Sequence, residues 1–228
     1  ASSTVNFSGG VVADAFDNAV MNLTVTNSTS SGNNDQLSVS AGDNSDVELV
    51  ASGNTLSSVA SGDFVVVSLL GSAFDNGFVL DANLSNNTIT VANGLTADGI
   101  ISFNAGGGVM NIAITGNTIN YAGTQRAIIF QAGQDGSGST NATVTGNIID
   151  IQLDGTGNAV TGILAQSAIT GPGNTSSMCA DIGGAGALSN TFTHSLGGTM
   201  AGGDIRVRQR NDGTVRLPGY GGGATDST

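Results

Sequence analysis

The chain has no Trp and no Lys, a single Cys at Cys179, a single His at His194, two Pro and 4% aromatic residues. Each shortage removes a class of explanation. One Cys forbids an internal disulfide framework. With no Lys and a net charge of −12, the body of the chain offers no cationic surface to nucleic acid or to anionic lipid. No apolar run approaches the roughly 20 residues that span a bilayer, so membrane insertion is not expected. No stretch carries an apolar stripe at helical spacing. The first residues, Ala1-Ser2-Ser3-Thr4-Val5, have neither the charged start nor the apolar centre of a signal peptide, and no initiator Met precedes them. The expectation is a mature product, a processed piece or an excised segment.

What the chain does have is a phrase that returns. It reads Ser52-Gly53-Asn54-Thr55-Leu56, Ser85-Asn86-Asn87-Thr88-Ile89, Thr115-Gly116-Asn117-Thr118-Ile119, Thr145-Gly146-Asn147-Ile148-Ile149 and Pro172-Gly173-Asn174-Thr175-Ser176. The aligned Asn residues are 33, 30, 30 and 27 positions apart. A period of this size is the signature of a solenoid. Other columns travel with it. Apolar runs follow the phrase at Gly99–Ala105, Ala127–Ala132 and Gly162–Ser167. Alternating runs precede it at Met110–Thr115 and Asn141–Thr145, and the phrase leads into Ile119–Tyr121 and Ile149–Leu153. Alternation rich in Val, Ile and Thr is the half-buried strand pattern. Three short strands per thirty residues describe an all-β chain, a single-stranded right-handed parallel β-helix of roughly seven coils, about 35 Å long at the spacing of paired strands.

The Asn column has a physical reason. A tight corner needs a residue in the left-handed region, which Gly and Asn enter at least cost. Stacked coils then place identical amides above one another, where they hydrogen-bond into a ladder. Asn54, Asn87, Asn117, Asn147 and Asn174 are therefore expected to be structural. Leu188-Ser189-Asn190-Thr191-Phe192 offers a further corner of the same kind.

The chain divides into a β-helix over 1–203, a hairpin over 204–220 and a flexible tail or linker over 221–228. Residues 1–50 are less regular, with strands expected at Val20–Val25 and Gln36–Val39 and a polar turn or outward loop from Thr26 to Asp35. Charge is lopsided: residues 1–203 carry thirteen Asp, one Glu and one Arg, while 204–228 carry four Arg and three Asp. In the terminal segment Ile205 and Val207 alternate with Arg206, Arg208 and Arg210, and Asn211-Asp212-Gly213 then supplies positive-φ residues, a hairpin signal. Arg216 would lie on the returning strand. A solenoid needs its ends covered, and this hairpin is the expected cap. The alternative is that its Arg face docks an acidic surface, either a neighbouring module or another copy of the chain.

Chemistry is sparse. Arg126 is the one basic residue of the body and is expected at a solvent-facing turn. Cys179, in an alternating strand, is expected to point inward as a small apolar side chain. Asp150 with Asp154, and Asp43 with Asp46, are near in sequence, but nothing sets either pair apart as an acid–nucleophile dyad. Asp43-Asn44-Ser45-Asp46 and Asp135-Gly136-Ser137-Gly138 offer oxygen ligands to calcium and equally suit turns. No other cofactor is implied.

The thirty-residue repeat over residues 50–195 resembles the parallel β-helix of the pectin-lyase-like superfamily. The string Asp204–Arg210 with Thr214–Tyr220 resembles a segment of very large bacterial surface proteins built from β-strand repeats, which are similar to exported adhesins. The resemblance implies a secreted or cell-surface location and no enzyme activity, because the Gly-His-Gly and Arg-Ile-Lys motifs of pectin hydrolases are missing. The function so implied is a non-catalytic structural or adhesive module of a bacterial exoprotein, assembling end to end into a fibre, with neighbouring modules, further copies or surface glycans as partners. The competing expectation is a polysaccharide-active enzyme or a tailspike-like glycan binder.

Overall fold

The computed structural model describes residues 6–7, 10–33, 35–59, 65–72, 77–133, 136–152, 161–168, 173–195 and 203–218. Their strands form coils of three. The first coil is β1 (Asn6–Phe7), β2 (Val11–Ala15) and β3 (Val20–Thr26); the second is β4 (Thr29–Gly32), β5 (Leu37–Ala41) and β6 (Asp46–Ser52). Next come β7 (Thr55–Ser58), β8 (Val67–Gly71) and β9 (Val79–Ser85), then β10 (Thr88–Val91), β11 (Ile100–Asn104) and β12 (Val109–Thr115). They are followed by β13 (Thr118–Tyr121), β14 (Arg126–Ala132) and β15 (Ser139–Thr145), and by β16 (Ile148–Ile151), β17 (Thr161–Ser167) and β18 (Ser177–Ile182). The last coil is β19 (Thr191–Thr193), β20 (Ile205–Gln209) and β21 (Thr214–Arg216).

Every third strand stacks on its predecessor. Sheet A is β1-β4-β7-β10-β13-β16-β19, sheet B is β2-β5-β8-β11-β14-β17-β20, and sheet C is β3-β6-β9-β12-β15-β18-β21, each seven-stranded. Pairing is parallel and holds its register. Val47, Leu80, Met110, Thr140, Met178 and Val215, for example, stand in one inward column of sheet C. The fold is a parallel β-helix.

Alternation sets the core. Along β12 the burial alternates residue by residue, with Met110, Ile112 and Ile114 turned in. Stacking identical inward columns makes one continuous apolar interior, in which each coil depends on its neighbours. Phe78 is fully buried between two glycines: a Cβ on Gly71 or Gly108 would come within 2.2 Å or 2.4 Å of its ring. Those glycines make room for the ring.

Three expectations are corrected. Residues Thr26 to Asp35 are not simply a loop, since they contain β4 of sheet A. Its inward residue is Ser30, 1% exposed, whose hydroxyl donates to Gln36 Oε1 at 2.6 Å. A polar inward residue hides the alternation. The hairpin expected over 204–220 is not formed by its described residues, 204–218. β20 pairs in parallel with β17 of sheet B, and β21 pairs in parallel with β18 of sheet C. Asn211-Asp212-Gly213 is the corner between those two sheets, with Asn211 at φ +48°. Asp43 and Asn44 turn the second coil at the same corner with φ +50° and +60°. Continuing the helix lets Val215 bury on Met178, which a detached hairpin would forgo. Gly213 is required there, because a Cβ would lie 2.5 Å from the Ala168 methyl. Finally, Cys179 points outward and is half-exposed, while Met178, Ala180 and Ile182 take the inward places. The expected tail, 221–228, lies outside the described residues.

Candidate functional site

The recurrent Asn residues sit where sheet C turns into sheet A. Ser52 ends β6 and Thr55 begins β7, so Gly53 and Asn54 make the corner. The two residues divide the work. The first takes the left-handed conformation: Asn27, Gly53, Asn86, Gly116 and Gly146 have φ between +49° and +67°. The second, the Asn itself, stacks. Asn54 N–H and Nδ2 both donate to Asn87 Oδ1 at 2.9 Å. Asn87 does the same to Asn117, and Asn117 to Asn147. Each Nδ2 also donates to a strand carbonyl; that of Asn117 reaches Leu84 O at 2.9 Å. Asn54, Asn87, Asn117 and Asn147 are at most 2% exposed. Ser28 N–H donates to Asn54 Oδ1 and opens the series. Its last described member is Asn190, which accepts from Asn147 at 3.1 Å and 2.9 Å. Asn174 stands at another corner: its Nδ2 donates to Gly133 O, and its Oδ1 accepts from Ser176 N–H. Residues 183–190, with the short 3-10 turn Gly186–Leu188, lengthen the last sheet C to sheet A corner. That insertion, together with longer connections before and after β17, puts Asn190 43 residues from Asn147 and makes the nearer Asn174 look like the repeat.

A second ladder lies on the outer face of sheet C. Asn22, Glu48, Asp81, Asn111, Asn141, Cys179 and Arg216 share one register column. Asn141 Nδ2 donates to Asn111 Oδ1 at 2.8 Å, and Asn111 Nδ2 donates to Asp81 Oδ1 at 2.7 Å. Beside it, Asn83 and Thr143 complete the wall of a shallow groove of about 310 Å³. Its polar groups are hydrogen-bonding amides and two carboxylates, set beside the outward Val50 and Ala113 side chains. The signal was in the sequence: Asp81, Asn111 and Asn141 are 30 residues apart, the period of the Asn corners.

Arg126 is not a free turn residue. It begins β14 and is paired with Asp98, whose side chain is 9% exposed. Arg126 Nη2 donates to Asp98 Oδ2 at 2.9 Å, and the Arg126 N–H donates to Asp98 Oδ1 at 3.0 Å. Nε lies 2.9 Å from the same Oδ1 without a hydrogen bond of good angle. Burial raises the Asp98 pKa above the usual carboxylate value, and the Arg126 charge and hydrogen bonds offset part of that rise. Below them Tyr121 donates to Ala97 O at 2.6 Å and accepts from Gln125 N–H at 2.7 Å, and burial drives its pKa up. The guanidinium is committed to the Asp98 carboxylate.

Asp150, on the outer face of sheet A, follows Asn120 and precedes Thr193 in register. Partial burial would raise its pKa, but donors from Gln152, Thr193 and Ser195 outweigh this and hold it below the usual value. Asp154 and Asp135 lie outside the described residues. Asp43 turns a corner and Asp46 begins β6 on the outer face. Among the described residues no three His, Cys, Asp or Glu side chains are grouped to hold a metal ion. His194 Nε2 lies 3.0 Å from Asp204 Oδ1.

The terminal arginines belong to the last coil. Arg206 and Arg208 project from the outer face of β20, next to Leu164 and Gln166. Arg210 follows that strand and Arg216 ends β21. Partial burial, then the charges of Arg206, Arg210 and Arg126, lower the Arg208 pKa. The neighbouring Gln166 is 5% exposed and its Oε1 has no hydrogen-bond partner.

Among the described residues, part of the apolar interior is less deeply buried at both ends of the stack, although Val215 of the last coil is 1% exposed. In the first coil Val11, Ala13, Met21 and Leu23 are half-buried, whereas their register partners Leu37, Val39, Val47 and Leu49 are fully buried. In the last coil Ile205 is 37% exposed above a fully buried Ile163.

No protein-family model matches the chain, and no curated protein or solved structure matches it.

Proposed function

We propose that this chain is a non-catalytic rod, a structural or adhesive module of a secreted or cell-surface bacterial protein, of the broad kind that the pectin-lyase-like and adhesin resemblances suggest. The observation that carries the reading is where the polar chemistry has been invested. The buried Asn series, the Asp98–Arg126 pair and the Asp150 cluster all join one coil to another. Side chains fully engaged in holding coils together serve the rod. An acidic surface without Lys keeps such a rod soluble and away from anionic partners.

The sheet C groove favours one adhesive role, glycan binding. Asp81, Asn83, Asn111 and Asn141 present donors and acceptors at regular intervals along the rod, as the hydroxyls of an extended neutral sugar chain require. Incubation with a panel of neutral and acidic polysaccharides tests both parts. Binding that falls on Asp81→Ala, with no new reducing ends, is expected. Turnover that disappears on Arg126→Ala would overturn the non-catalytic reading.

A further inference from the structure

The two ends of the rod match each other. The outer edges of β1, β2 and β3 and of β19, β20 and β21 are followed by no further strand among the described residues. The same three sheets arrive at each end, and apolar residues of the inward columns are incompletely buried there: Val11, Met21 and Leu23 at one end, Ile205, Val207 and Phe192 at the other, while Val215 of β21 is already 1% exposed. An exposed parallel edge over an open core is a template for another coil. The charges are opposite. The first coil carries Asp14 and Asp17, and the chain has no basic residue before Arg126. The last coil carries Arg206, Arg208, Arg210 and Arg216 against Asp204 and Asp212.

We propose that the occupant of each end is a second copy of this chain, docked head to tail, with β19, β20 and β21 of one copy pairing in parallel with β1, β2 and β3 of the next. This rests on the rod reading above and names its partner. The register follows from the columns already present. The inward column of sheet B that runs Val11, Leu37, Val67, Ile100, Ile128, Ile163, Ile205 begins again at Val11 of the second copy. The outward column three residues further on runs from Asp14 through Ser40, Leu70, Phe103, Gln131 and Gln166 to Arg208. Stacking sets Arg208 beside Asp14 of the second copy, about 4.8 Å away along the rod, within reach of a two-pronged guanidinium–carboxylate pair. In sheet C, Arg216 meets Asn22 of the second copy, with its Glu48 one coil further. A head-to-tail contact does not close on itself, so it propagates as a filament. The mutual repulsion of the arginines in an isolated copy is relieved when Asp14 arrives.

The test uses the 228-residue chain at low salt, followed by sedimentation velocity and negative-stain electron microscopy. Rods that lengthen with concentration, and shorten as salt screens the charged ends, are expected. Asp14→Arg and Arg208→Asp are both outward substitutions that leave the core untouched, which unchanged melting curves verify. Each variant alone should assemble at least tenfold more weakly than the parent chain. Mixed in equal amounts, the two should assemble again, because every contact then joins unlike charges. Lone particles of the parent chain at all concentrations, undiminished assembly of either variant, or a mixture no better than its components each overturn the proposal. Such a result leaves the rod reading standing, since glycan binding and absence of turnover are read on single copies.

Discussion

A buried amide and an exposed one with the same thirty-residue spacing differ in what they hold. Asn117 is fully buried; it accepts from Asn87 N–H and Nδ2 and donates to Leu84 O and Asn147 Oδ1. Asn117→Ala strands several of these groups away from water, where each unsatisfied partner costs about 1–3 kcal/mol. A loss of about 3 kcal/mol in urea unfolding is expected. Asn111 sits one ladder over, on the wet side of sheet C, where Asn111→Ala should cost about 0.5 kcal/mol or less. Equal losses would mean that burial does not distinguish the two columns. The recurrence of Asn was legible because few residues satisfy a two-residue corner. The outward column escaped notice because solvent-facing positions tolerate substitutions: Glu48, Asp81, Asn111 and Asn141 share a place but not an identity.

Among the elements, those with apolar runs or alternating apolar residues were readable from the chain alone: β11, β12, β14 and β15 lie close to where the pattern put them. Three others were not. β4 carries Ser30 inward, so alternation offers nothing to see until Gln36 is found beside it. β20 and β21 look like two arms of a hairpin, because a positive-φ corner uses the same Asn, Asp and Gly whether the chain reverses or turns into the next wall. Only pairing to β17 and β18 decides between them. Val215 is the residue on which that difference can be weighed. It is 1% exposed on Met178, and Val215→Ala should cost about 2 kcal/mol by denaturant titration. In a hairpin standing clear of the helix the cost would stay within about 0.5 kcal/mol.

For the whole molecule, stability follows the fate of its carboxylates. Asp98 and Asp35 have raised pKa values in the folded chain, chiefly because burial disfavours their charged forms. Folding therefore retains their protons longer than the unfolded chain does. Their contribution is greatest below the ordinary carboxylate value of 3.8 and falls as pH rises through their folded values. Asp150 works the other way: its lowered pKa contributes stability above 3.8 that is lost as acid protonates it. Asp98→Asn should flatten the decline measured from about pH 4 upward, whereas Asp150→Asn should flatten the loss below about pH 4. Urea midpoints collected across that range provide the comparison, and an unchanged slope in either variant would contradict the corresponding assignment.

The bonds between coils, the Asn series included, run along the rod, while the covalent chain runs around it. Tension applied to the two ends loads the outermost coil first and leaves inner ones sheltered. Each coil that peels away releases about thirty residues, roughly 100 Å of slack at extended-chain length. Under a steady pull the molecule would yield in regular steps, and so dissipate force instead of passing it on.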